Sequence, residues 1–331
     1  MTSENLVFYE KQKVAGNVSV LGVPLDLGKD TVGTYLAPEY IRNCGLRTMC
    51  ENIGLLYKDL GDVECANKSE TEMGDIKVKY LDEISRVVEK TAMIVRDEIK
   101  MGNKMLVLGG DHSLSIGTIS GASVACGGDL GLIWIDAHGD INTDETSMSG
   151  NIHGMPVAAV LGMGHHRLTE VLQPGAKIKS ENIIYIGIKD LDQAEIEIMR
   201  KENITVFTIM DLMRGGIEPL AQSLFELQKR VGHVWVSLDV DSIDSAYAPA
   251  TPMASPDGLT RREASVITKL IGKLPVVGMD IVELAPDLDE NKKTGNLVVE
   301  LAANLLGSEY NWYTNYMDLE VQKQATRSQG K

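Results

Sequence analysis

Thiol chemistry is scarce in this chain. Its 331 residues include four cysteines, Cys44, Cys50, Cys65 and Cys126, with no CxxC spacing. That excludes a disulfide-stapled secreted scaffold and reads as free thiols in a reducing compartment. Long hydrophobic runs are also missing, so no segment is long enough to span a bilayer. Residues 1–16 carry Glu4, Glu10, Lys11 and Lys13 and lack the apolar centre of a secretion signal, so the expected location is cytoplasmic. Basic residues are outnumbered, 32 against 47 acidic, for a net charge of −15. This excludes nucleic acid or an anionic membrane surface as the natural partner. The acidity suits a cationic ligand or a bound metal, and equally serves solubility alone. No Pro/Ser-rich linker and no internal repeat divides the chain, so one domain over residues 1–331 is expected, with its core at about residues 17–307.

The composition, 44% hydrophobic with 32 glycines, is that of an ordinary α/β protein able to bury a large core. Short apolar runs at residues 17–24, 55–60, 104–108, 131–135, 183–188, 205–208, 233–240 and 276–282 predict about eight strands. Helical patterns separate most of them. Pro38 suits the first turn of a helix over residues 38–52. Val78, Leu81, Ile84, Val87, Val88, Met93, Ile94, Val95 and Ile99 follow helical spacing across residues 76–101, as one long helix or two. Residues 63–75 read as a surface loop. Ser113 can cap a helix to residue 124, and further helices are expected at residues 193–202, 217–230, 260–270 and 294–305. Strands alternating with helices imply a three-layer α/β/α fold on a mainly parallel sheet. Residues 308–331, with Tyr310, Trp312, Tyr313 and Tyr316, form a polar tail that either packs on a neighbouring subunit or frays.

Within this frame, Asp136-Ala137-His138-Gly139-Asp140 directly follows an apolar strand. Alternate residues of an extended segment face one side, so two carboxylates and an imidazole converge. His112 follows the strand at residues 104–108, and Asp239 and Asp241 alternate at the end of the strand beginning at residue 233. Ligands of open parallel sheets bind beyond the carboxyl ends of strands. A lone aspartate there is usually a turn or cap. Six such groups at three strand ends are not turns, and four buried aspartates without a cation would repel one another. Oxygen and nitrogen donors without thiolate suit manganese or zinc. The set suffices for two metals sharing carboxylates, an arrangement that activates water at neutral pH.

Gly109-Gly110-Asp111-His112-Ser113, Asp136-Ala137-His138-Gly139-Asp140 and Ser237-Leu238-Asp239-Val240-Asp241 resemble the three motifs of the ureohydrolases. The stretch Asp140-Ile141-Asn142 through Ser149-Gly150-Asn151-Ile152-His153-Gly154 resembles arginases, not agmatinases. The resemblance runs from about residue 17 to 307. It implies an eight-stranded parallel sheet and two Mn2+ per chain. One ion would be held by His112, Asp136, Asp140 and Asp239, and the other by Asp136, His138, Asp239 and Asp241, with Asp136 and Asp239 bridging. It implies hydrolysis of L-arginine to L-ornithine and urea. Glu283 would bind the guanidinium, Asp140 would orient the nucleophile and His153 would protonate the leaving amine. Asn142, Ser149 and Asn151 would hold the substrate carboxylate, and Asp192, assisted by Asp190, its α-ammonium. Homotrimers or homohexamers are implied as well.

Two segments depart from the family pattern. Met253 stands where arginases carry a threonine, leaving Thr251 or Ser255 to supply its hydroxyl, and Pro252 and Pro256 stiffen that loop. The early loop at residues 30–38 also departs. These changes leave two alternatives: hydrolysis of another guanidino compound (agmatine or a guanidino acid), or a metal-binding but catalytically silent partner protein.

Overall fold

The computed structural model describes residues 14–308. Eight strands run as β1 (Asn17–Val23), β2 (Leu56–Asp62), β3 (Lys104–Gly109), β4 (Leu130–Ile135), β5 (Ile183–Ile188), β6 (Thr205–Thr208), β7 (His233–Asp239) and β8 (Val276–Val282). The first helices are α1 (Ala37–Asn43), α2 (Leu46–Ile53), α3 (Leu81–Lys100), α4 (Ser115–Ala125), α5 (Pro156–Val160) and α6 (His166–Thr169). They are followed by α7 (Gln193–Lys201), α8 (Ile209–Gly215), α9 (Glu218–Arg230), α10 (Arg261–Ile271) and α11 (Lys293–Leu305). The strands form one sheet in the order β2-β1-β3-β8-β7-β4-β5-β6, and every pairing is parallel.

Period-two patterning sorts the core into two layers. Val18, Val20, Leu106, Leu108, Ile133, Ile135, Val234 and Val236 pack on one face with residues of α1, α2 and α9 to α11. Leu21, Val23, Met105, Val107, Leu132, Trp134 and Trp235 pack on the other with residues of α3 to α5. This is the expected three-layer fold. Among the described residues no helix is long and apolar enough to cross a membrane.

Local departures from the sequence expectation have identifiable causes. The helix expected over residues 38–52 is two helices, because Gly45 takes φ 88° and caps α2, a conformation glycine adopts without a Cβ penalty. The helix expected from residue 76 begins at Leu81. Ser113 does not cap: Asp111 occupies the N-cap of a 3-10 turn over His112–Leu114 and accepts from the Ser113 amide. The aromatic tail at residues 309–331 lies outside the described residues.

Helix α4 follows the β3 turn and is buried on nearly all sides. It approaches α3 closely because it carries glycines there. A Cβ at Gly117 would sit 2.4 Å from the Val88 carbonyl oxygen. Gly117→Ala is therefore expected to destabilise the fold by about 1–3 kcal/mol through overpacking, read as a lowered midpoint in urea unfolding. An unchanged midpoint would contradict this account of the α3–α4 contact.

Candidate metal centre and active site

The four central strands β3, β8, β7 and β4 end level with one another, Leu108 beside Ile281, Asp239 beside Val282 and Ile135 beside Leu238. Their carboxyl ends carry His112, Glu283, Asp239 with Asp241, and Asp136 with His138 and Asp140. The sheet thus inserts β8 between the first and third motif strands, which sequence order hides. All of these groups are buried except His138, whose side chain is 26% exposed.

His112 Nδ1 lies 3.2 Å from Asp136 Oδ2, 3.0 Å from Asp140 Oδ2 and 3.1 Å from Asp239 Oδ2. His138 Nδ1 lies 3.0 Å from Asp241 Oδ2 and 3.6 Å from Asp136 Oδ1. Asp136 therefore turns one oxygen toward each imidazole. His112, Asp136 and Asp239 form one group able to hold a metal ion, and Asp136, His138 and Asp241 form a second.

The residues behind the cluster orient it. His112 stacks on Trp134, with ring centroids 4.1 Å apart and planes 5° apart. The Trp134 indole donates to Asp136 Oδ2 at 2.9 Å, and the His138 amide donates to Asp136 Oδ1 at 2.7 Å. Ser237 Oγ donates to Asp280 Oδ1 at 2.5 Å, so it accepts from His112 Nε2 at 2.8 Å. That chain puts the imidazole proton on Nε2 and aims the Nδ1 lone pair at three carboxylates. Nδ1 is buried with no hydrogen-bond partner. A lone pair facing anions is repulsive unless a proton or a metal cation lies between them, and the donor set fits a divalent metal of hard or borderline character.

The charge balance points the same way. Burial pushes the Asp239 carboxyl well above the usual range, and Asp241 and Asp136 add repulsion. Asp140 and Asp241 are raised by burial and then by Asp136. Burial works against protonated imidazoles, yet the carboxylates around His112 hold it well above the ordinary histidine range. Those around His138 push it up to about 12 despite its burial. The cluster is short of positive charge.

Asp280 anchors this arrangement from below. It accepts from Ser115 Oγ at 2.9 Å, Thr118 Oγ1 at 2.6 Å and Trp235 Nε1 at 2.7 Å as well as from Ser237. Asp280→Ala removes the acceptor shared by four buried groups. The Trp235 indole is left unpaired and the hydroxyls keep only longer contacts, Thr118 Oγ1 to the Ser115 carbonyl and Ser115 Oγ to Ser237 Oγ, each at 3.3 Å. The substitution is expected to cost about 1–3 kcal/mol of stability. It should also weaken metal binding by about 10- to 100-fold. Chemical unfolding and metal titration check the two effects; a metal affinity equal to the parent's would contradict the orienting chain.

Glu283 follows β8 in the left-handed region at φ 63°, a costly backbone for a residue with a Cβ. Its amide donates to the Gly110 carbonyl at 2.9 Å, which fixes the side chain over the cluster. Glu283 Oε1 accepts from the His112 amide at 2.9 Å and lies 3.4 Å from His153 Nδ1. Oε2 accepts from the buried Lys29 ammonium. Lys29, then His153, hold the Glu283 carboxyl well below the usual range against the effect of burial. His153 is raised, since Glu283 outweighs its burial.

The loop after Asp140 carries the other predicted groups. Asp140 itself has φ 48°, and its carbonyl accepts from the Val157 amide at 2.9 Å, which starts α5. Asn142 donates to Asp192 Oδ2 at 2.7 Å. Asn151 donates to Asp30 Oδ2 at 3.2 Å and accepts from Lys79 Nζ at 3.0 Å. Ser149 is exposed at the loop surface. Asp190 and Asp192 are exposed after β5, and Asp192 also caps α7 in a reciprocal box with Glu195. Met253 is exposed. Ser255 Oγ accepts from Lys189, whereas Thr251 Oγ1 is buried without a hydrogen-bond partner.

Glu195, Lys29 and Asp30 at the site, and Asp280 behind it, escaped sequence reasoning. Glu195, raised to about 7 chiefly by burial, was readable as the fourth position of an Asp-x-x-Glu capping box. Asp30 opens the divergent early loop and Lys29 directly precedes it; neither carried a pattern of its own.

Comparison with known proteins agrees with this geometry. The sequence profile of the Arginase family matches residues 16–307. An arginase of Bacillus caldovelox is 37% identical over 295 residues, covering 88% of this chain and 98% of that protein. One of Brevibacillus brevis is 38% identical over 298 residues, with 88% and 98% covered. The native structure of the Bacillus caldovelox arginase superposes with a TM-score of 0.85, covering 88% of this chain and 98% of that one. A structure of Entamoeba histolytica arginase in complex with L-ornithine is 29% identical, with a TM-score of 0.82 over 89% of this chain and 99% of that one. With its fold, its clustered acid and imidazole side chains and these relatives in agreement, the chain belongs to the arginase family of amidinohydrolases.

Proposed function

We propose that this protein is a manganese-dependent arginase, converting L-arginine and water to L-ornithine and urea. The observation that carries the reading is the convergence of His112, Asp136, His138, Asp140, Asp239 and Asp241 beneath Glu283 and His153. When bound, a pair of Mn2+ ions supplies the Lewis acidity that makes water nucleophilic at neutral pH.

The chain's own groups do the rest. Glu283 orients the planar guanidinium through charge-assisted hydrogen bonds. Asp140 orients the attacking water toward the guanidinium carbon. His153 gives its proton to the departing amine of ornithine. Its neighbour Glu283 favours the protonated ring, so the acid form persists to higher pH than in free histidine, whose pKa is about 6.5. Turnover should fall as pH rises through that raised value, at higher pH than a free histidine would dictate. Asn142, Ser149 and Asn151 hold the substrate carboxylate, and Asp192, with Asp190, its ammonium. Thr251, the buried unpartnered hydroxyl, is the better replacement for the family threonine, because Ser255 is committed to Lys189. In this reading the protein works in the cytoplasm as a homotrimer or homohexamer.

The altered loop around Met253 favours one rival, a hydrolase of another guanidino compound. Comparing kcat/KM for arginine, agmatine and guanidino acids separates the two. Arginine is expected to lead by about tenfold or more, the effect of about 1.4 kcal/mol from carboxylate contacts that agmatine cannot make. A higher value for agmatine would overturn the assignment of Asn142, Ser149 and Asn151.

A further inference from the structure

The groups read as substrate-binding are engaged by the protein's own loop. Lys29 is 3% exposed and its ammonium sits on Glu283 Oε2. The other oxygen, Oε1, already takes the His112 amide. Both oxygens that a guanidinium would grip are thus in use. The neighbouring residue Asp30 places a carboxylate oxygen on the Asn151 amide at 3.2 Å, the donor read as holding a substrate carboxylate. Lys79 clasps the same carboxylate at 3.0 Å.

This is a built contact. The Gly28 amide donates to Asp111 Oδ2 at 2.8 Å, and the Gly28 carbonyl accepts from the His153 amide at 3.1 Å. A Cβ at Gly28 would lie 2.4 Å from Asp111 Oδ1, so only glycine permits this approach. On the other side Asp26 accepts from the Gly33 amide at 2.7 Å and Thr34 Oγ1 at 2.8 Å. The backbone is held at both ends, and the side chains of residues 29 and 30 project toward the two ends of the substrate site.

We propose that Lys29-Asp30 is an internal pseudo-substrate: the Lys29 ammonium fills the guanidinium subsite on Glu283, the Asp30 carboxylate fills the carboxylate subsite at Asn151, and a zwitterionic guanidino substrate binds by displacing both. The inference rests on the reading of Glu283 and Asn151 as substrate-binding residues. A ligand that binds only the state with Lys29 displaced has its affinity reduced by the fraction of molecules in that state. Lys29 therefore sets the affinity of every cation at Glu283, and Asp30 acts as the specificity-determining residue between ligands with and without a carboxylate.

The test uses the manganese-loaded full chain and its Lys29→Met, Lys29→Gln and Asp30→Asn variants, with thermal unfolding as the control for folding. Lys29→Gln keeps a hydrogen bond to Glu283 should Lys29→Met fail to fold. The readouts are the KM for arginine in a urea assay and the calorimetric Kd of L-lysine and of pentylamine. These amines cannot be hydrolysed to urea and report the subsites without turnover. Removing the Lys29 charge is expected to tighten both amines by about tenfold or more and to lower the KM for arginine. Asp30→Asn is expected to tighten L-lysine but leave pentylamine unchanged, since pentylamine has no carboxylate. Equal or weaker amine binding in the folded Lys29 variants would overturn the proposal, as would equal gains for both amines in Asp30→Asn. Absence of urea with tightened amine binding would sink the arginase reading alone. Normal urea release with unchanged amine binding would sink this inference alone.

Discussion

Asp136→Ala is expected to lose both metal ions together. Asp136 lies between the two imidazoles, with Oδ2 at 3.2 Å from His112 Nδ1 and Oδ1 at 3.6 Å from His138 Nδ1. It belongs to both groups able to hold a metal. In the proposed centre one carboxylate would serve two ions, and its removal would subtract negative charge from both halves. Urea release should fall by at least about a thousandfold, since about 4 kcal/mol of lost barrier lowering already produces that factor. The variant should remain folded, because relief of repulsion with Asp239 offsets the unpaired Trp134 indole, a loss of about 1–3 kcal/mol. Metal analysis after gel filtration checks the first claim. Two manganese ions per chain in the variant would contradict the bridging role.

His153→Ala is expected to separate binding from turnover. His153 belongs to neither metal-holding group, and its ring faces Glu283 at 3.4 Å. Metal content should match the parent, while kcat falls by about 10²- to 10⁴-fold, the usual contribution of a positioned acid. The fall in rate above the raised His153 value should vanish with the ring. The sign follows from Glu283 stabilising the protonated imidazole, so the active acid is lost as pH rises through that value. Equal loss of metal in Asp136→Ala and His153→Ala would instead make His153 part of the metal centre.

Much of this site was legible because its chemistry is local in sequence. Asp136, His138 and Asp140 lie within five residues, and Asp239 and Asp241 within three, so their convergence is legible without a structure. It does not come about through an extended segment: β4 ends at Ile135, Asp140 takes φ 48°, and Asp241 sits in a 3-10 turn over Val240–Ser242. Most of the strands were legible for a related reason. A strand buried on both faces is a short apolar run, and Leu130–Ile135 is buried throughout, whereas the edge strands β2 and β6 are exposed or half-buried. The order of strands was not legible. Nothing in the residues 276–282 says that β8 enters between β3 and β7, yet that insertion brings Glu283 to the cluster.

Short-range backbone chemistry accounts for the other differences. Gly45 breaks the helix expected through residue 52 by taking a left-handed conformation. Helix α8 was readable from Thr208 and Asp211, which form a reciprocal cap, although its seven residues show little periodicity. Long-range polar contacts left no local signal. Asp280 reaches His112 only through Ser237, across two neighbouring strands. Lys29 meets Glu283 across 254 positions of sequence, and a lysine beside a divergent loop reads as a solvated surface charge. The family resemblance located the carboxylate that receives a guanidinium, and only the folded chain reveals the cation already beside it.

The most direct measurement of the central claim is urea release from L-arginine with manganese content determined on the same folded sample. Two manganese ions per chain accompanied by urea formation is the expected result. Full manganese occupancy with no urea from arginine would contradict it.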